Sequence, residues 1–163
     1  MLKKYLFAFY LIILFSNSAQ AAGTGDSSSS KVKSNYDKAV TLIKQAKKYE
    51  KKGKTEKANK RYEKAQKLLI TSNNKKPLQA DTLNYLGFTT RKLGDYENGE
   101  KYYLLGLEID PNHKGINEYL GELYVVTNRI DLAKERLNVL ESCNCEEYGE
   151  LKEIIDGTKQ SKY

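Results

Sequence analysis

The chain has 163 residues, 30% charged and 39% hydrophobic, with a formal net charge of +7 and a mean hydropathy of −0.69. This polarity excludes a protein with several membrane spans, while Leu, Ile, Val and Tyr are frequent enough to build a core and exclude full disorder. One histidine, one methionine and no tryptophan exclude His-rich and Met-rich metal sites and argue against histidine-dependent catalysis.

Residues 1–21 have the features of a secretory signal peptide. Lys3 and Lys4 precede an apolar run over residues 5–15, and Ala19-Gln20-Ala21 has the small-x-small form of a cleavage site. A spanning helix needs about 20 apolar residues, so a permanent anchor is the weaker interpretation. We expect cleavage after Ala21 and export, to the periplasm in a Gram-negative cell and otherwise by secretion. The small polar residues 22–33 are predicted to form a flexible leader.

A unit of thirty-four residues follows, most clearly over residues 80–113. Large apolar residues and small ones recur there at helical spacing, and Gly94-Asp95-Tyr96 separates two helical segments. Such spacing predicts a helical hairpin, in which small residues let the two helices approach closely and large ones fill the space between them. The same spacing recurs over residues 39–72 and 114–147, and residues 73–79 are an insertion.

This pattern resembles the tetratricopeptide repeat (TPR) family. The resemblance rests on Leu86-Gly87, Gly94-Asp95-Tyr96 and Tyr103, on the exit turn Asp110-Pro111-Asn112, and in the next copy on Leu120-Gly121. It implies an all-α solenoid of three TPR hairpins within a domain over residues 34–160. Apolar residues at helical spacing over 147–158 predict a seventh helix that caps the stack.

The resemblance also implies a ligand groove lined by the first helix of each repeat. Repeat position assigns fifteen residues to this groove, among them Asp81, Gly115 and Glu118. The residues that we single out as binding candidates are Lys47, Lys51, Asn84, Phe88, Arg91, Lys92 and Glu122. Two interpretations stay open for Phe88: an apolar contact for a peptide side chain, or packing against a neighbouring helix. The cations are either contacts for an acidic peptide or ordinary surface charge. We do not predict the carboxylate clamp of one TPR subclass, because Lys47 stands where that clamp has Asn and Asn84 is displaced.

Charge is unevenly distributed along the chain. Residues 31–76 carry a net charge of +12, and residues 80–163 carry −6. The basic first repeat is either a solvated lysine-rich face or a surface for an anionic partner such as phospholipid, a cell-wall polymer or an acidic protein. Pairing of basic and acidic ends is a third interpretation and predicts self-association. Export argues against a nucleic acid partner.

Cys143 and Cys145 lie between the last repeat and the capping helix. Export to an oxidising compartment favours a disulfide between them. Redox exchange and binding of Cu(I) by the two thiolates are the alternatives. The surrounding sequence, Cys-x-Cys-Glu-Glu-Tyr, looks similar to the ends of small exported bacterial TPR proteins.

The sequence contains no Gly-rich phosphate loop and no Gly-x-Ser-x-Gly motif, and its one histidine is distant in sequence from both cysteines. We therefore predict no catalytic residues, no cofactor and no resident metal. The predicted function is a non-enzymatic protein-interaction module or scaffold of the bacterial cell envelope, which binds a peptide or helix in its groove. The alternatives are an anionic-surface binder acting through the first repeat and a redox or copper-handling protein acting through the cysteines.

Overall fold

The computed structural model describes residues 33–161. The predicted signal peptide and all but the last residue of the predicted leader lie outside this range. The described residues form seven α-helices and one short 3₁₀ turn over Glu141–Cys143. The helices are α1 (Asn35–Glu50), α2 (Thr55–Lys75), α3 (Ala80–Lys92), α4 (Tyr96–Ile109), α5 (Lys114–Val126), α6 (Ile130–Leu140) and α7 (Glu146–Ile155). None of these helices is both long enough and apolar enough to cross a membrane.

The helices form three antiparallel hairpins followed by a cap. The hairpins are α1–α2, α3–α4 and α5–α6; α2 packs on α3, and α4 packs on α5. The last helix, α7, packs on both α5 and α6. One hairpin cannot cover its own apolar face, so each buries that face against the next. This arrangement confirms the predicted fold class, an all-α hairpin solenoid with a C-terminal capping helix.

The three hairpin turns share one backbone conformation at equivalent repeat positions. Gly53, Gly94 and Asn128 have φ angles of 66°, 93° and 59°. Glycine adopts this left-handed region without the steric cost of a Cβ, and asparagine is among the residues that tolerate it best. The third turn therefore keeps the geometry of the first two although its glycine is replaced.

Three helix bounds differ from those expected, and two of the differences have a local reason. Helix α1 begins at Asn35 because Ser34 and Asp37 form a reciprocal capping box. Helix α7 ends at Ile155, earlier than expected, because Gly157 takes a φ of 73° just after it. Helix α2 extends to Lys75 and so includes the first part of the segment expected as an insertion.

The core depends on close approach of helices at glycine. Gly87 of α3 lies against the ring of Tyr103 of α4, and a Cβ at Gly87 would lie 2.5 Å from a ring carbon. Gly106 of α4 lies equally close to Ile116 of α5. The two glycines Gly99 and Gly106, which lower the intrinsic helix propensity of α4, are buried and α4 is continuous through them.

Candidate binding site

The first helices of the three hairpins form a common surface, since α1 contacts α3 and α3 contacts α5. We call this surface the inner face. All seven groove residues predicted from the repeat lie on its three helices or, for Lys51, at the end of α1. The structure divides them into a packed group and an open cleft.

Phe88 belongs to the packed group. Its side chain is 1% exposed, and its ring centre lies 5.8 Å from that of Tyr62 and 5.1 Å from that of Tyr119. The Lys47 ammonium lies 4.5 Å from the centre of the Phe88 ring, within range of a cation–π interaction. The structure therefore supports the interpretation that Phe88 packs against neighbouring helices. The ring is not open to a ligand.

Arg91 and Glu122 also lie in the packed group, as a buried ion pair. The Arg91 Nη2 and Glu122 Oε2 atoms are 3.1 Å apart, and both side chains are almost completely removed from solvent. Arg91 also donates a hydrogen bond to the backbone carbonyl of Tyr119. These two residues join α3 to α5, and neither presents its charge at the surface.

The remaining predicted lysines differ in their surroundings. Lys92 forms an ion pair with Glu50, which also accepts a 2.8 Å hydrogen bond from the hydroxyl of Tyr62. Lys47 donates a 3.3 Å hydrogen bond to the hydroxyl of Tyr119. Lys51 is exposed beyond the end of α1. The structure thus brings Lys47, Phe88, Arg91, Lys92 and Glu122 together as one polar and aromatic cluster that fills the C-terminal half of the inner face.

Asn84 lies apart from this cluster, in a cleft of about 610 Å³ at the N-terminal half of the inner face. The walls come from α3, the loop before α5, α5 itself and the start of α7. The cleft is lined by Gln79, Ala80, Asp81, Asn84, Tyr85, Asp110, Asn112, His113, Lys114, Gly115, Glu118, Tyr119 and Glu147. Because four of these residues are carboxylates, we call it the acidic cleft.

His113 holds two sides of the acidic cleft together. Its Nδ1 accepts a 3.2 Å hydrogen bond from the backbone N–H of Ile116 and so caps α5. In the neutral imidazole the proton is then on Nε2, which donates to Asp81 Oδ1 at 3.1 Å. The hydrogen bond to Asp81 therefore connects the start of α5 to the start of α3.

Two buried polar groups line the acidic cleft. Glu118 is 9% exposed, and burial, followed by the charges of Glu122, Glu147 and Glu150, raises its pKa to about 8. Asn84 is 6% exposed, and its Oδ1 atom accepts no hydrogen bond within the described chain.

Gly115 permits the close approach of Asn84 to α5. A Cβ at Gly115 would lie 2.8 Å from Asn84 Nδ2. The repeat position had assigned Gly115 to the groove without a reason for glycine at that place. The reason is the Asn84 amide, which occupies the space that a side chain would need.

The repeat offset of thirty-four residues was a signal for Tyr85 and Tyr119, which the prediction missed. Tyr85 and Tyr119 are related by this offset, and both line the acidic cleft. Asn84 and Glu118 are related in the same way. His113 and Glu147 are also related by this offset, but Glu147 belongs to the capping helix and reaches the cleft through the packing of α7 on α5.

The segment after α7 turns back toward the inner face. Lys159 forms ion pairs with Glu150 and Glu153 of α7. The hydroxyl of Ser161 donates a 3.3 Å hydrogen bond to Glu122 Oε2. The end of the described chain therefore lies beside the packed cluster of the inner face.

A second cleft, of about 560 Å³, lies at the start of α1 and the end of α2. Its lining includes Lys33, Lys38, Lys75 and Lys76, and we call it the basic cleft. It belongs to the strongly basic first hairpin.

The two cysteines form a disulfide, with their Cα atoms 5.2 Å apart. Asn144 between them has a φ of 45°, in the left-handed region that asparagine tolerates. Between residues 33 and 161, no group of three or more His, Cys, Asp or Glu side chains is placed to hold a metal ion.

Comparison with known proteins gives one family match. Residues 80–113 match the model of the tetratricopeptide repeat. No curated protein sequence matches the chain significantly.

Several solved structures have a similar fold. The translocator chaperone SycD of Yersinia enterocolitica type III secretion has a TM-score of 0.53 at 15% identity, over 72% of this chain and 81% of SycD. The first TPR domain of human RPAP3 has a TM-score of 0.54 at 20% identity, over 77% and 98%. PcrH, in complex with the chaperone-binding region of PopD, has a TM-score of 0.52 at 16% identity, over 72% and 88%. At these identities the likeness establishes the fold.

Proposed function

The chain contains a tetratricopeptide repeat and has the fold of TPR proteins, and we propose that it is a non-enzymatic interaction module that binds a peptide segment in its acidic cleft. The observation that carries this proposal is the cleft itself. It is large, it opens on the inner face, and it contains two deeply placed polar groups, Asn84 and Glu118, that a bound segment would contact.

Structural neighbours support a peptide as the ligand. SycD has been solved in complex with a peptide of the translocator YopD, and PcrH in complex with a region of PopD. The proposed site differs from the one expected from repeat position, because the cluster around Phe88 is already filled by side chains of this chain. Of the seven candidates singled out from the sequence, the proposed site retains Asn84, and it also contains Asp81, Gly115 and Glu118 from the wider set of groove positions.

We also propose that the protein is exported and acts in the cell envelope. The apolar run and the small-x-small site of residues 1–21 support this location, as does the disulfide between Cys143 and Cys145. The intact mass of the protein purified from its host tests it. A mass that corresponds to a chain beginning at Ala22 supports export. An uncleaved chain found in the cytoplasmic fraction contradicts it.

Selection from a displayed library of random dodecapeptides tests the binding function. Lys114 is exposed at the rim of the acidic cleft, so Lys114→Trp should obstruct it without disturbing the core. Lys134→Trp, on an exposed position of α6 outside the cleft, is the matched control. We expect peptides that bind the wild type and Lys134→Trp equally and bind Lys114→Trp at least tenfold more weakly. The proposal is contradicted if the library gives no binding peptide, or if the selected peptides bind Lys114→Trp as tightly as the wild type.

A second candidate function is binding to an anionic surface, and the basic cleft favours it. Four lysines line that cleft, and the first hairpin carries most of the positive charge. Co-sedimentation with phosphatidylglycerol vesicles, compared with phosphatidylcholine vesicles, tests it. Binding to the anionic vesicles should fall steeply as the salt concentration rises, and it should be weaker for the double variant Lys75→Glu/Lys76→Glu. Binding that changes with neither the salt concentration nor the double substitution argues against this function.

A further inference from the structure

The acidic cleft contains a carboxyl group, that of Glu118, with no counter-charge in direct contact within residues 33–161. Glu118 is 9% exposed. Among the described residues it accepts no hydrogen bond and forms no ion pair. In its ionised form a carboxyl group so little exposed is costly, because it has lost much of its hydration without gaining a donor. Such a group favours a ligand that supplies the missing charge.

Asn84 provides a second and independent indication. Its Oδ1 atom is buried and lacks a donor in the described chain, and Asn84 is nine-tenths buried. Asn84 and Glu118 face the same cleft from α3 and α5. Asn84 Oδ1 and the ionised Glu118 carboxylate are both acceptors, so a ligand that satisfies both must present donors.

The rest of the cleft favours a positively charged donor on an apolar stem. Tyr85 and Tyr119 contribute aromatic rings to the lining, and Asp81 and Glu147 contribute further negative charge. A guanidinium or ammonium group is attracted to aromatic faces as well as to carboxylates, and its methylene stem packs against rings. An anionic ligand would instead be placed among four carboxylates.

We propose that the acidic cleft binds the cationic side chain of an arginine or lysine in the bound segment, with Glu118 as its ion-pair partner and Asn84 Oδ1 as a second acceptor. This inference rests on the proposed function of the cleft and names the chemistry of its ligand. The partner is therefore a segment with a basic residue.

The proposal predicts that binding depends on pH. The raised pKa of Glu118, about 8, means that the empty cleft holds this carboxyl mainly protonated at neutral pH. A cation bound there favours the ionised form, so binding at pH 7 releases a proton and the affinity rises from pH 6 to pH 9. The groups that act on Glu118 through their charge are Lys47 on α1, Glu122 on α5, and Glu147 and Glu150 on α7. The other titratable groups that line the cleft or are coupled to Glu118 are Asp81, Tyr85, Tyr103, Asp110, His113, Lys114 and Tyr119.

The test is an NMR titration of the ¹⁵N-labelled protein with Nα-acetyl-arginine methylamide. The matched probe is the citrulline analogue, which has nearly the same shape and no charge. We expect chemical-shift changes concentrated at Asn84, Gly115 and Glu118, and a Kd at least tenfold lower for the arginine compound. Glu118→Gln should raise the Kd at least tenfold and remove its pH dependence. Glu108→Gln, an exposed position of α4 outside the cleft, should leave both unchanged.

Equal affinity for the arginine and citrulline compounds overturns the inference, as does a Glu118→Gln variant that is folded by circular dichroism and binds like the wild type. Displacement of the arginine compound by millimolar CaCl₂ with the same shifts at Glu118 also overturns it, in favour of a metal ligand. If library peptides bind the cleft but contain no required basic residue, the proposed function stands and this inference fails. If Lys114→Trp weakens the binding of no library peptide, the proposed function of the cleft fails, and this inference fails with it.

Discussion

Arg91 of α3 and Glu122 of α5 form an ion pair inside the protein, with 3.1 Å between Nη2 and Oε2 and side chains 0% and 1% exposed. Repeat position had placed both on a ligand groove, where their charges would meet a partner. In the structure their charges are directed to each other and to the backbone of Tyr119. This pair therefore closes the C-terminal half of the inner face and leaves the acidic cleft as the open half.

The buried pair should respond asymmetrically to substitution. Arg91→Met removes the guanidinium and leaves the Glu122 carboxylate buried, so we expect a loss of about 3–5 kcal/mol in the free energy of unfolding. The double variant Arg91→Met/Glu122→Leu should recover most of that loss, because no buried charge remains. Urea denaturation of the three proteins measures this, and a double variant less stable than Arg91→Met contradicts it.

Phe88 should contribute to stability as a core residue. Phe88→Ala removes a fully buried ring that packs on Tyr62 and Tyr119, and such truncations cost about 3–5 kcal/mol. Ile70→Ala, at a position 42% exposed on α2, is the control and should cost less than about 1 kcal/mol. Thermal unfolding followed by circular dichroism distinguishes the two. A fully stable Phe88→Ala variant would show that the ring is not needed for packing.

Two glycines of the helices should respond in opposite directions to alanine. At Gly87 a Cβ would lie 2.5 Å from the Tyr103 ring, which is buried and cannot move freely, so Gly87→Ala should destabilise by about 1–3 kcal/mol. At Gly149 of α7 a Cβ meets no atom within 4 Å, so Gly149→Ala should stabilise by about 0.5–1 kcal/mol. The urea concentration at the midpoint of unfolding should fall for Gly87→Ala and rise for Gly149→Ala. Equal changes in stability at the two sites would refute the packing explanation.

Glu118 should make stability depend on pH. Its folded pKa, about 8, lies above the ordinary value of 4.5, so the folded state binds the proton more tightly than the unfolded state. The resulting stabilisation is complete below pH 4.5 and is lost as pH rises through 8, by about 1.4 kcal/mol per unit of pKa difference. Glu118→Gln should remove this loss.

The comparison between variants isolates the Glu118 contribution from other titrating groups. The free energy of unfolding of Glu118→Gln relative to wild type should increase between pH 5 and pH 8.5. Glu108→Gln, which is exposed on α4, should show no such trend. A constant difference between Glu118→Gln and wild type across this range would mean that the Glu118 carboxyl titrates normally.

The fold could be predicted because its determinants are local and repeat along the chain. The turn residues Gly53, Gly94 and Asn128 recur at one repeat position, and the spacing of small and large residues specifies the helical pairs. The site could be predicted only in part. Repeat position placed Phe88 on the inner face correctly, but its burial depends on Tyr62 of α2 and on Lys47 of α1, which are distant in sequence.

The acidic cleft depends on contacts that no repeat pattern contains. Glu147 reaches it through the packing of the capping helix, and His113 contacts Asp81 at the opposite end of the same repeat. The raised pKa of Glu118 depends first on its burial and then on the charges of Glu122, Glu147 and Glu150 around it. Such a value follows from three-dimensional proximity and burial, neither of which can be deduced from residue type or spacing.

The most direct test of the central claim is NMR mapping of a library-selected peptide on the ¹⁵N-labelled protein. We predict that the largest shift changes fall on residues lining the acidic cleft, above all Asn84, Gly115 and Glu118, and that Lys114→Trp abolishes them. Changes confined to the outer helices α4 and α6, or shifts that persist unchanged in Lys114→Trp, would contradict the account.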